Sequence, residues 1–140
     1  MHRRDQLGAP SGLGVVASVA LPADARSAGR SRAFIAQFCA SAGLTGEVRR
    51  TASLLTSELV TNAIVHGHSG PKVEAELGSD RVLRVAVTDD SPSVLPEVDP
   101  EPQPSIESGR GLLIVSLLAS RWGFRPAPGG GKAVWFELDG

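Results

Sequence analysis

The chain has few of the features that would place it outside a cell or across a membrane. Its 140 residues contain one cysteine, Cys39, which excludes an internal disulfide framework and fits a reducing, cytoplasmic setting. No stretch approaches the ~18 consecutive apolar residues that a membrane span needs. Positive charge is not in excess either. Fourteen Lys and Arg against fifteen Asp and Glu leave a formal net charge of −1, which argues against a protein that grips nucleic acid by its phosphates. With 41% hydrophobic and 21% charged residues, the composition is that of one soluble globular domain.

Several familiar motifs are also missing. Gly131-Lys132 imitates a P-loop, but the first glycine of that pattern would fall on Pro126. Ala133 follows the lysine and has no hydroxyl to offer a magnesium ion. The string from Gly12 to Ala17 spells a dinucleotide fingerprint, yet no strand precedes it and a strand rather than a helix follows. His66 and His68 have only His2 as a further histidine, too few for a zinc site. Cys39 has no evident neighbouring base and reads as a buried structural thiol. No Gly-x-Ser-x-Gly elbow occurs. Arg3 and Arg4 before the apolar stretch Leu13 to Leu21 loosely resemble a signal peptide. The every-second-residue recurrence of Val15, Ala17, Val19 and Leu21 predicts a half-buried strand instead.

What is present orders itself along the chain. Residues 1–11 read as a loose polar tail, and 12–140 as a single domain. A strand over about 13–21 ends at Pro22, and a helix from Asp24 to about Ala42 follows, with Phe34, Ile35 and Phe38 inward and Gly43 as its stop. A second helix spans Glu47 to Val65 or His66 and ends at Gly67. Alternating Val73, Ala75, Leu77 and Leu83, Val85, Val87 flank Gly78-Ser79-Asp80 as a hairpin. Five prolines between Pro92 and Pro104 exclude a packed element there and predict a long mobile loop. Gly109-Arg110-Gly111 opens an apolar run to Ala119, read as a buried helix, and two strands flank the Gly129-Gly130-Gly131 turn. The order β-α-α-β-β-loop-α-β-β is α+β: a two-layer sandwich with a mixed or antiparallel sheet and helices on one face.

One pair of residues stands out within this frame. Glu58 and Asn62 lie one turn apart, roughly 40° around the helix, on the side that also carries Leu54, Leu55, Leu59 and Val65. A carboxylate there is costly without a partner. A rim salt bridge for Glu58 and a backbone bond for Asn62 would meet that cost, and so would a ligand cleft. Asp89 ends a buried strand run at the mouth of the Pro-rich segment, where Asp90 beside it reads as turn chemistry. Gly109 and Gly111 introduce a helix whose free amides and positive dipole end suit phosphate. On the same second helix, Val60 and Ile64 read as exposed and hint at a contact surface, as in a homodimer.

Together these segments carry a resemblance. Glu58-Leu59-Val60-Thr61-Asn62-Ala63-Ile64-Val65-His66-Gly67 resembles the N-box of the GHKL ATPase superfamily, which includes gyrase, heat-shock chaperone, histidine kinase and mismatch-repair types. Val87 to Pro92 resembles its first glycine box, and Gly109 to Val115 its second. The resemblance covers about residues 13–138 and is nearest to the short anti-sigma-factor serine/threonine kinase type of actinobacteria.

The resemblance implies a Bergerat-type fold with ATP and magnesium as ligands. By position, Asn62 would hold magnesium and contact phosphate oxygens, Glu58 would be the general base, and Asp89 would accept a hydrogen bond from the adenine amino group. Gly109, Arg110, Gly111 and Leu112 would line the phosphates, with a lid over about 91–108. It further implies a cytoplasmic protein kinase that phosphorylates an anti-anti-sigma-type partner and sequesters a sigma factor. The other function it allows is a non-catalytic, nucleotide-dependent protein-binding switch. Two departures from the family pattern bear on nucleotide affinity: Ser91 and Ser93 stand where glycines are usual, and Ala133 stands where the final strand often carries a hydroxyl.

Overall fold

The computed structural model describes residues 14–67, 69–90 and 107–140. The expected tail, His2, His68 and the Pro-rich segment to residue 106, with Ser91 and Ser93, lie outside them. The elements run β1 (Val15–Ala20), α1 (Arg26–Ser41), α2 (Glu47–His66), β2 (Lys72–Leu77), β3 (Val82–Asp89), α3 (Glu107–Leu118), β4 (Arg121–Pro126) and β5 (Lys132–Asp139). The order is the one the hydrophobic pattern predicts. The five strands form one sheet, β1-β2-β3-β5-β4, and every pairing is antiparallel.

Local chemistry explains most boundaries. Asp24 accepts the Arg26 amide at 2.8 Å, so it turns the chain into α1 one residue ahead of the N-cap, Ala25, which makes no side-chain cap. At the other end Gly43, at φ 81°, closes a Schellman motif. Its amide donates to the Ala40 carbonyl at 3.2 Å and that of Leu44 to Cys39 at 2.7 Å, with Leu44 buried. The β2–β3 hairpin pairs Val73 with Val87, Ala75 with Val85 and Leu77 with Leu83. Arg81 closes its turn at φ 66°, a left-handed conformation that glycine adopts more cheaply.

Side chains directly opposite each other in paired strands share a face. Val73, Ala75, Leu77, Leu83, Val85, Val87, Val134, Phe136 and Leu138 therefore form one apolar face, and all belong to the buried core with Ile35, Leu55, Leu59 and Val115 of the helices. The opposite face carries a row of charges across four strands: Glu76, Arg84, Glu137 and Arg121. Arg84 is buried there and pairs with Asp80 at 2.8 Å. Its Nε lies 3.3 Å from Glu137 Oε2, near enough for attraction but poorly angled for a hydrogen bond.

Two expectations about α2 and α3 are corrected. Val60 is fully buried and Ile64 half-buried against the core, whereas Leu54 and Val65 are exposed. The wheel assumed one covered face, but α2 packs on α1 and α3 as well as on the sheet. The apolar stripe is thereby rotated away from Leu54 and Val65. Helix α3 begins at Glu107, two residues before the glycine pair. It also buries one side only, since Leu117 and Leu118 face solvent.

Candidate functional site

Helix α2 holds Glu58 and Asn62 at the edge of its buried stripe, both half-buried. They face α3 at Gly111. A Cβ at Gly111 would stand 3.2 Å from Asn62 Nδ2 and 3.3 Å from both Asn62 Oδ1 and Glu58 Oε1. The bare backbone of α3 thus comes up against both polar groups. Gly111 serves as the contact point between two helices rather than as a helix start. Gly109 and Arg110 lie in the first turn of α3, where amides lack carbonyl partners within the helix. Leu112 is half-buried against the core.

Asp89 is the last residue of β3 and is buried at 6% exposure. Alternation puts it on the inner face with Leu83, Val85 and Val87, beneath the end of α2. Gly67 touches it from above: a Cβ at Gly67 would lie 2.6 Å from the Ala63 carbonyl oxygen and 3.5 Å from the Asp89 Cβ. Gly67 has φ −94°, so close approach, not a left-handed cap, requires glycine here. A Cβ at Gly131 would collide with the Asp89 carbonyl oxygen. Asp90 Oδ1 accepts the Ser69 amide at 3.1 Å.

The register settles one departure noted in the sequence. Lys132 pairs with Asp89, and Ala133 pairs with Thr88. Ala133 therefore points to the other side of the sheet, and its missing hydroxyl takes nothing away from the Asp89 side. Elsewhere, burial pushes the Cys39 thiol above its usual range, which keeps it unreactive. Among the described residues no group of three His, Cys, Asp or Glu side chains converges on a metal position. The Asn62 amide oxygen is a hard donor of the kind magnesium accepts alongside phosphate oxygens and water. The donor set suits a nucleotide-borne magnesium better than a protein-caged metal.

Ser69, Asp90, Gly67 and Gly131 enter the site through contacts between distant segments. Gly67 carried a signal in the sequence as the helix stop that ends the N-box-like stretch, and Asp90 as a second carboxylate read there as turn chemistry. Glu58 and Asn62 thus meet α3 at Gly111, while Asp89 meets Gly67 and Gly131. Residues 21–138 match the family described as the histidine kinase-like ATPase domain. The chain belongs to that family.

Solved structures carry the same fold. The RsbU and RsbW domains of Rv1364c from Mycobacterium tuberculosis superpose with a TM-score of 0.66 at 23% identity, over 94% of this chain and 33% of that one. The Acinetobacter baumannii histidine kinase AdeS gives 0.51 at 20%, over 65% and 46%. A blue-light activated histidine kinase of Erythrobacter litoralis gives 0.53 at 24%, over 85% and 42%. The chain thus spans a third to under half of these proteins. No protein of curated function matches. As a histidine kinase-like ATPase domain, the chain is an ATP-binding protein, and no helix among its described residues is long and apolar enough to cross a membrane.

Proposed function

We propose that this domain is a cytoplasmic serine/threonine protein kinase that phosphorylates an anti-anti-sigma-type protein and sequesters a sigma factor. The convergence of Glu58 and Asn62 on the bare backbone of Gly111 supports this reading most directly. Magnesium bound with ATP would neutralise charge on the phosphoryl group being transferred. Asn62 would hold the ion through its side-chain oxygen and donate from its Nδ2 amide to the phosphate oxygens. Glu58 Oε1 takes the proton from the incoming serine or threonine hydroxyl as its oxygen bonds to the γ-phosphorus and ADP leaves. The first-turn amides around Gly109 and Arg110, with Gly111 and Leu112 behind them, line the phosphates. Asp89 accepts from the adenine amino group. The partner class rests on the sequence resemblance to anti-sigma-factor kinases.

The test is phosphate transfer from labelled ATP to a purified anti-anti-sigma-type protein, with wild type and Glu58→Gln. Transfer by the wild type and a loss of at least ~100-fold in the variant, with ATP binding retained, are expected. Equal binding by both proteins with transfer by neither would replace the kinase with a nucleotide-gated binding switch.

A further inference from the structure

Two consecutive carboxylates stand at the end of β3, and they differ in burial. Asp89 is buried on the inner face, while Asp90 is exposed. The sequence suggests turn chemistry at Asp90's own strand end. Its Oδ1 instead accepts the amide of Ser69, 21 residues earlier, at 3.1 Å. That bond ties the connection between α2 and β2 to the end of β3.

The connection is short and its two ends are held by the backbone. The Gly67 amide donates to Ala63 at 2.7 Å, and the Leu21 amide donates to the Pro71 carbonyl at 2.9 Å. Glycines let its chain come close to neighbouring segments. A Cβ at Gly70 would collide with the Leu21 carbonyl oxygen, and one at Gly67 would stand 3.4 Å from Asp90 Oδ1 and 3.5 Å from the Asp89 Cβ. Asp89 is thus flanked by Gly67 on one side and by Gly131 on the other. Gly131 meets Asp89 at its backbone carbonyl and Gly67 meets it at its Cβ, so the two walls bound where the residue sits. The Ser69–Asp90 bond holds the nearer wall.

We infer that Asp90 is a positioning residue of the nucleotide site: by latching Ser69 it keeps Gly67 against Asp89, so that the Asp89 carboxylate stays aimed at the adenine amino group. This rests on the ATP reading above. It predicts that the latch governs base selectivity as well as affinity, because a loosened Asp89 can turn toward a base that lacks the amino donor.

Asp90→Ala removes the acceptor, and Asp90→Asn keeps an oxygen in the same place. ATP and GTP affinities would be measured for wild type and both variants, with the hydrogen exchange rate of the Ser69 amide. Asp90→Ala should lose ATP affinity roughly tenfold, about what one hydrogen bond to a charged group is worth. It should bind GTP almost unchanged and exchange the Ser69 amide faster. Asp90→Asn should lie near wild type in all three. Equal loss for ATP and GTP would reduce Asp90 to a structural role, and wild-type behaviour of Asp90→Ala would remove the latch altogether. Absence of ATP binding by wild type would overturn the ATP reading and the base-selectivity claim together. The Ser69 exchange rate would then still show whether the latch exists.

Discussion

Replacing Gly111 by alanine would set a methyl group 3.2 Å from the Asn62 amide and 3.3 Å from Glu58 Oε1. Both are ends of flexible side chains, so they can yield by a few tenths of an ångström. Alanine also favours the helix by about 1 kcal/mol over glycine. The two effects oppose each other in stability and act together on the site, where Asn62 and Glu58 leave their working positions. Gly111→Ala should therefore shift the urea midpoint little while weakening ATP binding severalfold. A variant that binds ATP normally would show that the contact of α3 on α2 does not set the geometry of the pair. At this scale Glu58, Asn62 and Asp89 were legible in sequence because polar residues on an apolar helix face, or ending a buried strand, violate the local pattern. Gly67 and Gly131 were not legible as site residues. Glycine at 131 is required by the backbone of Asp89 from another strand, and at 67 by the Ala63 carbonyl of its own helix end, with Asp89 and Asp90 beside it.

At the scale of elements, the hairpin from β2 to β3 was readable from alternation and a Gly-Ser-Asp turn, while its register, with Arg81 inside the turn, came from the structure. What alternation could not reveal is the ionic row on the far face, where β5 brings Glu137 beside Arg84 and β4 adds Arg121. Within this row, the Arg84 guanidinium donates to Asp80 and holds its carboxyl below the usual carboxylate range. A folded-state pKa below the unfolded one stabilises the fold above the ordinary carboxylate pKa. That contribution disappears as pH falls through the lowered value. Asp80→Asn should accordingly destabilise at neutral pH by no more than about 1 kcal/mol, because the Asp80 side chain is 52% exposed and solvent screens the pair. The difference from wild type should shrink towards pH 3. Urea midpoints at pH 7 and pH 3 measure this, and a gap that widens in acid would contradict the assignment. Helix α2 shows the complementary limit of sequence reading. Its length and ends matched the pattern, but which side is wet depended on neighbours that no single helix encodes.

Across the whole molecule, ligand binding must appear as stability. A ligand that binds only the folded chain adds about 2.7 kcal/mol at a hundredfold excess over its dissociation constant, or several degrees in the melting temperature of a domain this size. ATP with magnesium should produce that rise in wild type and none in Asn62→Ala. An equal rise in both proteins would place the nucleotide somewhere other than beside Asn62.

The element order, the α+β class, the β2–β3 hairpin and the suspicion attached to Glu58, Asn62 and Asp89 came from the sequence by itself. Each rests on periodicity, turn residues or spacing within a few dozen residues, which the chain carries locally. Tertiary structure decided what α2 buries, which residue of β5 faces Asp89, and that Gly111 lets α3 come up against the Glu58–Asn62 pair. It also joined Ser69 to Asp90. These depend on the approach of segments far apart in the chain, where backbone packing and strand register, rather than any local preference, determine the neighbours.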